Sequence, residues 1–400
     1  MNLDVGLEER VFILSKVFQA IPMYFAHWED SFVEPDQLDE TYRQYLHRAL
    51  ELESRVEFSK LMYEFFGLLN NGHTTFHDSS LLANNPGMGF GMDWVDHQWI
   101  VIASRIDGLE VGEAVISLNG TPVETLYREV EPFIRRGSEH ATRMAFGGGV
   151  WRAFGFPLRY ELAWEDRLGE IHTTVIDRDT LPAAEPGGSS NPETEGRWIN
   201  DIAYIRIPSF EDAKFEESAL DYLSDFQHAR ALIIDVRHNG GGTTPTKLRQ
   251  ALIDKPFRTG SFSSPQQIGI QQDWAGWGQT QLLWPSRVVH PGNCVFKGCL
   301  YVLANRRTGS ASEDFVSTIK ASGRGIIIGE FTYGSTGQPV NFDCGDGFSF
   351  RISTIRCYNP DGSKFEGVGI EPDVKMESTR EGIYIGEDHG LDLAVKHASS

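Results

Sequence analysis

Apolar residues recur at helical spacing from residue 7 to about residue 70. Val11, Ile13, Leu14, Val17 and Phe18 make one stripe, and Phe58, Leu61, Met62, Phe65, Phe66 and Leu69 make a second. They predict an N-terminal helical region over residues 1–76. The period breaks at Gly72, so His73 stands at an element boundary. From Gly87 to about Asp179 the pattern shortens to strand-like runs and turns, including Gly89–Met92, Trp99–Ile102 and Leu109–Leu118, with a tight turn at Asn119-Gly120. Leu158–Trp164 and Ile171–Ile176 flank Glu165–Gly169 as a hairpin, and the whole stretch reads as a small β domain over residues 77–180. Residues 181–198, rich in Pro, Gly, Ser and Glu and without period, read as a linker or mobile loop. Strands and helices then alternate: Ile202–Ile207, a helix to about Phe226, Ala231–Val236, Leu300–Ala304, a helix over Glu313–Ala321 and Gly325–Gly329. This predicts an α/β core over residues 199–378 and a C-terminal segment over 379–400, so the chain is α/β in class and α+β across its domains.

Charge narrows the partners. Lys and Arg number 36 against 56 Asp and Glu, a net charge of −20, which argues against nucleic acid and against anionic lipid surfaces. No apolar run approaches the ~18 residues of a membrane-spanning helix. The start is acidic where a secretory signal begins basic, which places the protein in the cytoplasm unless an export signal has been removed. Cys294, Cys299, Cys344 and Cys357 fit no zinc spacing and are expected as free thiols, with disulfides still open.

Candidate chemistry lies at element ends. The strand Leu300–Ala304 runs towards Ser310-Ala311-Ser312, and a helix follows. A serine at such a turn can expose its hydroxyl while the next backbone N–H faces an oxyanion near the helix N-terminus. The other reading is that Ser310 and Ser312 cap the helix, with Glu313 in its first turn. His73 has the chemistry of a general base or is an ordinary loop histidine. His73 and His77 are four apart without the glutamate of a zinc motif, so no metal is expected. Asn239-Gly240-Gly241-Gly242 follows an apolar strand and allows close backbone approach to a phosphate or an oxyanion; neither nucleotide-binding glycine motif is present.

Within residues 77–180, Gly89-Phe90-Gly91 and the path from Val111-Gly112-Glu113 to the Ile116–Gly120 turn resemble a PDZ module, which captures extended peptides by strand addition. Four motifs in order resemble the tail-specific (C-terminal processing) serine proteases, and more narrowly their tricorn-core-like branch. They are Asn71-Gly72-His73-Thr74, Ile233–Arg237 with Asn239–Gly242, Thr308–Glu313, and Gly367–Asp373. The resemblance covers roughly residues 10–375 and implies a ClpP/crotonase-like core. It implies Ser310 as nucleophile, an oxyanion hole from the N–H of Ala311 with that of Gly241 or Gly242, and a structural Ser312. The processing branch carries a lysine base where this chain has Ser335. The tricorn-like branch instead uses a histidine, matched by His73, oriented by a glutamate matched by Glu366. The implied activity is that of a serine endopeptidase without metal or cofactor, acting on a peptide or protein. Asp235 and Asp373 are expected to hold turns. The alternatives are an apolar-ligand carrier of retinoid type on the same fold, and an esterase or amidase for small substrates.

Overall fold

The alternation after residue 199 folds as one six-stranded sheet. In the computed structural model, which describes residues 4–83, 87–181, 193–266, 280–293 and 296–399, its order is Val374–Lys375, Ile326–Gly329, Cys299–Ala304, Ala231–Asp235, Ile202–Arg206, Glu195–Ile199. All neighbours are parallel except the last pair. Ala231–Asp235 is buried at every position, as a central parallel strand covered on both faces requires. Ala203, Ile205, Leu232, Ile234 and Val302 face the helices Ala213–Asp225, Thr246–Leu252 and Ala311–Ser322. Ile202, Tyr204, Ile233, Tyr301 and Leu303 face the C-terminal helix His389–Ser399. Glu195–Ile199 departs from the linker expected over residues 181–198, of which 182–192 lie outside the described residues. It is an edge strand with Glu195, Arg197 and Trp198 exposed, so it lacks the apolar run that marks interior strands.

The N-terminal region does not stand alone. Helices Leu7–Tyr24 and Arg55–Leu68 bury Ile13, Leu14, Val17, Phe58, Phe65 and Phe66 against Phe76, Phe348, Phe350 and Ile352 of a three-stranded antiparallel sheet. One strand of that sheet, Thr75–Asp78, follows directly on His73 and pairs with Phe348–Ser353 in the register Thr75↔Arg351. Backbone hydrogen bonds therefore stitch the end of the helical region into the C-terminal third of the chain.

Between them lies a separate antiparallel sheet, ordered Phe90–Val95, Gln98–Ser104, Ala114–Leu118, Arg159–Glu165, Ile171–Asp177, with the expected hairpin as its last pair. Two helices, Val123–Ile134 and Glu139–Gly147, cover it through Tyr127, Ile134 and Phe146. They depart from the strands and turns expected there. Val123, Leu126, Tyr127, Val130 and Ile134 recur at helical spacing and pack on the sheet, so the helical pattern is present in the sequence and the reading of strands and turns overlooks it. Cys299, Cys344 and Cys357 are free thiols, and Cys294 lies outside the described residues. Among the described residues no helix is long and apolar enough to cross a membrane.

Candidate active site

The strand Cys299–Ala304 ends in a turn that delivers Ser310 to the start of helix Ala311–Ser322. Ser310 has φ 53° and ψ −122°, a conformation that costs a non-glycine residue on the order of 1–3 kcal/mol. Its surroundings over-determine it. The Ser310 N–H donates to the Ser335 carbonyl at 3.2 Å and to Glu313 Oε2 at 3.1 Å. Gly309 N donates to the Asn239 carbonyl at 3.0 Å, and Thr308 Oγ1 to that of Val236 at 2.9 Å, so the glycine loop and the serine turn are one unit.

A side chain at Gly241 has no room. A Cβ there would lie 2.7 Å from Ser310 Cβ and 2.8 Å from Ala311 N. The Gly241 N–H donates to Asn239 Oδ1 at 3.0 Å. Among the described residues the amides of Gly242 and Ala311 have no acceptor, and both residues line, with Ser310, a cleft of about 640 Å³ that extends to Thr336, Gln338 and Trp284. Ser312 is fully buried.

His73, Ser310 and Glu366 meet around a fourth residue. His73 Nδ1 is 2.9 Å from Ser335 Oγ, and the Ser335 side chain also favours the charged form of Glu366. The same residue's carbonyl accepts from Ser310. No hydrogen bond joins His73 directly to Glu366 or to Ser310 among the described residues. The expected contact between Glu366 and His73 is not made; Ser335 Oγ takes the place at His73 Nδ1, and the next residue, Thr336, donates its N–H to Glu366 at 2.9 Å. Gly72 permits the approach: a Cβ there would sit 2.9 Å from Ser335 Oγ and 2.8 Å from Tyr333 Cε1. Sequence alone marks Ser335 by the lysine it lacks, and nothing local reveals its contact with His73.

Glu366 is buried and held on both oxygens, by Asn71 Nδ2 at 2.9 Å and Thr336 N at 2.9 Å. Burial, helped by the charge of Glu313, pushes its carboxyl up to about 8 against these hydrogen bonds. Glu313 anchors the turn carrying Ser335, accepting from Gly334 N at 2.7 Å and Ser335 N at 3.1 Å, and burial pushes it up to about 7. Burial, then the charge of Arg351, lowers His73 to about 4, so its ring is neutral near pH 7. Behind Glu366, the buried His27 places Nδ1 3.8 Å from Oε1 and its Nε2 2.8 Å from Ser353 Oγ.

Lysines are engaged elsewhere: Lys320 Nζ is 2.9 Å from Asp373 Oδ1, and Lys364 pairs with Asp30. Asp235 accepts from Tyr204 Oη at 2.9 Å and from the Arg237 backbone, and Asp373 accepts from Ile327 N at 2.9 Å, both of them turn-holding roles.

Residues 201–376 match peptidase family S41. Over 281 residues, 68% of this chain and 53% of the relative, the chain is 28% identical to a chloroplastic C-terminal processing peptidase of Tetradesmus obliquus. It is 26% identical over 210 residues, 49% of this chain and 21% of the relative, to a putative tricorn-like protease C-terminal subunit of Sulfurisphaera tokodaii. The chain spans about half or less of the length of these curated relatives. Among solved structures, mature CPAF complexed with lactacystin superimposes with a TM-score of 0.75 at 14% identity, over 98% of both chains. The photosystem II D1 C-terminal processing protease does so at 0.53 and 18% identity, over 92% of this chain and 93% of that one. At these identities the likeness is one of fold.

Proposed function

We propose that this chain is a serine peptidase that hydrolyses peptide bonds through an acyl-enzyme on Ser310. The observation that carries the reading is Ser335, whose carbonyl holds the Ser310 backbone and whose hydroxyl holds the His73 ring. With Nδ1–H donating to Ser335 Oγ and the Ser335 hydroxyl donating to Glu366, the His73 tautomer is fixed and Nε2 is left bare as the base. Ser310 Oγ attacks the carbonyl as Nε2 takes its proton. The tetrahedral oxyanion receives the Gly242 and Ala311 amides. The imidazolium then hands its proton to the leaving amine, and water repeats the sequence on the acyl-enzyme. Glu366 acts on the imidazolium through Ser335. The relatives' names support peptide and protein substrates, and residues 77–180, read as a PDZ-like module, supply a surface for holding an extended chain.

A fluorophosphonate probe tests the reading. Label is expected on the peptide containing Ser310, and Ser310→Ala should remove it and lower peptide turnover by about 10⁴ or more, without loss of fold. Undiminished cleavage by Ser310→Ala, or label lost only in Ser312→Ala, would overturn it.

A further inference from the structure

Glu366 has a buried neighbour with a nitrogen to spare. His27 follows helix Leu7–Tyr24, and none of its side chain reaches solvent. Its Nε2 lies 2.8 Å from Ser353 Oγ. Its Nδ1 lies 3.8 Å from Glu366 Oε1 and has no hydrogen-bond partner among the described residues. An unmade hydrogen bond on a buried nitrogen is costly, so this one calls for an account. The backbone holds the ring in place: Ala26 N donates to the Ser353 carbonyl at 3.2 Å, and Ser353 N donates to Thr74 Oγ1, beside His73, at 3.0 Å.

The tautomer follows from the neighbours. Burial first, then the charges of Arg356 and His73, opposed by the Ile355 backbone, lower the His27 ring to about 3, so it is neutral near pH 7 and carries one N–H. The Ser353 hydroxyl needs an acceptor, and Nε2 at 2.8 Å is far nearer than the carbonyls of Thr336 at 3.4 Å and Ile355 at 3.5 Å. Ser353 therefore donates to Nε2, and the ring proton sits on Nδ1, facing Glu366.

We propose that His27 is a positioning residue for the hydrolysis, its Nδ1–H closing on Glu366 Oε1 as that carboxyl ionises, beside the 2.9 Å bond from Asn71 Nδ2. Hydrogen bonds of this kind are long in an unliganded site and tighten when the charge they serve appears. The other groups around Glu366 come from separate elements: Glu313 from the nucleophile helix, Arg356 from the strand Arg356–Tyr358, Ser335 and Thr336 from the turn, and the neutral Tyr333 and Cys357. Around His27 stand Arg356, Lys364 and His73, and Asp30 pairs with both of the first two. His27 thus helps to set the pH at which Glu366 becomes a carboxylate. The inference rests on the peptidase reading only for its consequence in turnover.

Infrared difference titration reads the Glu366 carboxyl without turnover, its carbonyl stretch being the acid band that Glu366→Gln lacks. In wild type the midpoint is expected at about 8. His27→Phe keeps a ring and removes both nitrogens, and should move that midpoint up by about one pH unit, the scale of one hydrogen bond to the charged form. His27→Asn, whose amide N–H can stand where Nδ1 stands, should restore most of the wild-type value. The alkaline rise of kcat/KM on a fluorogenic peptide should shift with the midpoint. A packing role alone would lower the melting temperature and leave the midpoint in place. An unmoved or lowered midpoint in His27→Phe, or an equal upward shift in His27→Asn, overturns the proposal. If His27→Phe fails to fold, Ser353→Ala decides: with the donor to Nε2 gone the midpoint should rise, and no rise overturns the proposal. Failure of the peptidase reading appears separately, as a wild-type protein whose Ser310 takes no fluorophosphonate while the infrared midpoints stand.

Discussion

Ser335→Ala isolates the bridge from everything else the turn does. The substitution removes one oxygen and leaves the main chain, so the carbonyl that accepts from Ser310 N and the N–H that donates to Glu313 are both kept. What is lost is the 2.9 Å bond to His73 Nδ1 and a hydroxyl that favours the charged form of Glu366. In the ground state a neutral Nδ1–H loses its acceptor. In the transition state the ring carries a full charge, and a hydrogen bond to a charged group contributes about 1.5–3 kcal/mol. At about 1.4 kcal/mol per tenfold, kcat/KM on a fluorogenic peptide should fall roughly 10- to 150-fold, mostly in kcat. Fluorophosphonate should still label Ser310, more slowly. The melting temperature guards against misfolding as the cause. If Ser335→Ala hydrolyses peptide within twofold of wild type, the serine is a packing residue and Glu366 reaches the histidine some other way or not at all.

The remaining expectations concern charge and space. With His73 lowered to about 4 and Glu366 raised to about 8, kcat/KM should rise through pH 8, where the carboxylate forms, and show no step near 6.5; Glu366→Gln should flatten the rise, and a limb at 6.5 would contradict the burial argument. Stability should move the opposite way. The folded pKa of Glu366 lies above the unfolded value of 4.5, so between 4.5 and 8 the native state holds the extra proton and unfolding free energy falls as pH rises, by up to about 1.4 kcal/mol per pH unit. Urea titrations of wild type and Glu366→Gln at pH 6 and 8 read the difference, and parallel curves would refute it. Gly72→Ala, whose Cβ would press on Ser335 Oγ and Tyr333, should lower kcat at least tenfold with a smaller effect on melting, on the order of the 1–3 kcal/mol of overpacking; unchanged kcat would mean the His73 loop has slack.

The sequence is most readable where one interaction dominates. Ala231–Asp235 and Leu300–Ala304 lie in a parallel sheet buried on both faces, so their composition is unambiguous, and Ser310 and His73 stand where such elements break. The helix Val123–Ile134 carries a helical stripe that a strand reading passes over, whereas the strand Glu195–Ile199 has no buried position and tertiary packing decides it. The contact of Ser335 with His73 is invisible locally, because the two lie 262 residues apart.

That separation has a consequence for synthesis. His73 meets Ser335 across 262 residues, and the strand after His73 finds its partner only when Phe348–Ser353 has emerged. Such non-local pairing forms late, since loop closure must precede the reward. On the proposed mechanism, a nascent chain therefore carries the histidine without its Ser335 partner until residues up to about 353 have emerged.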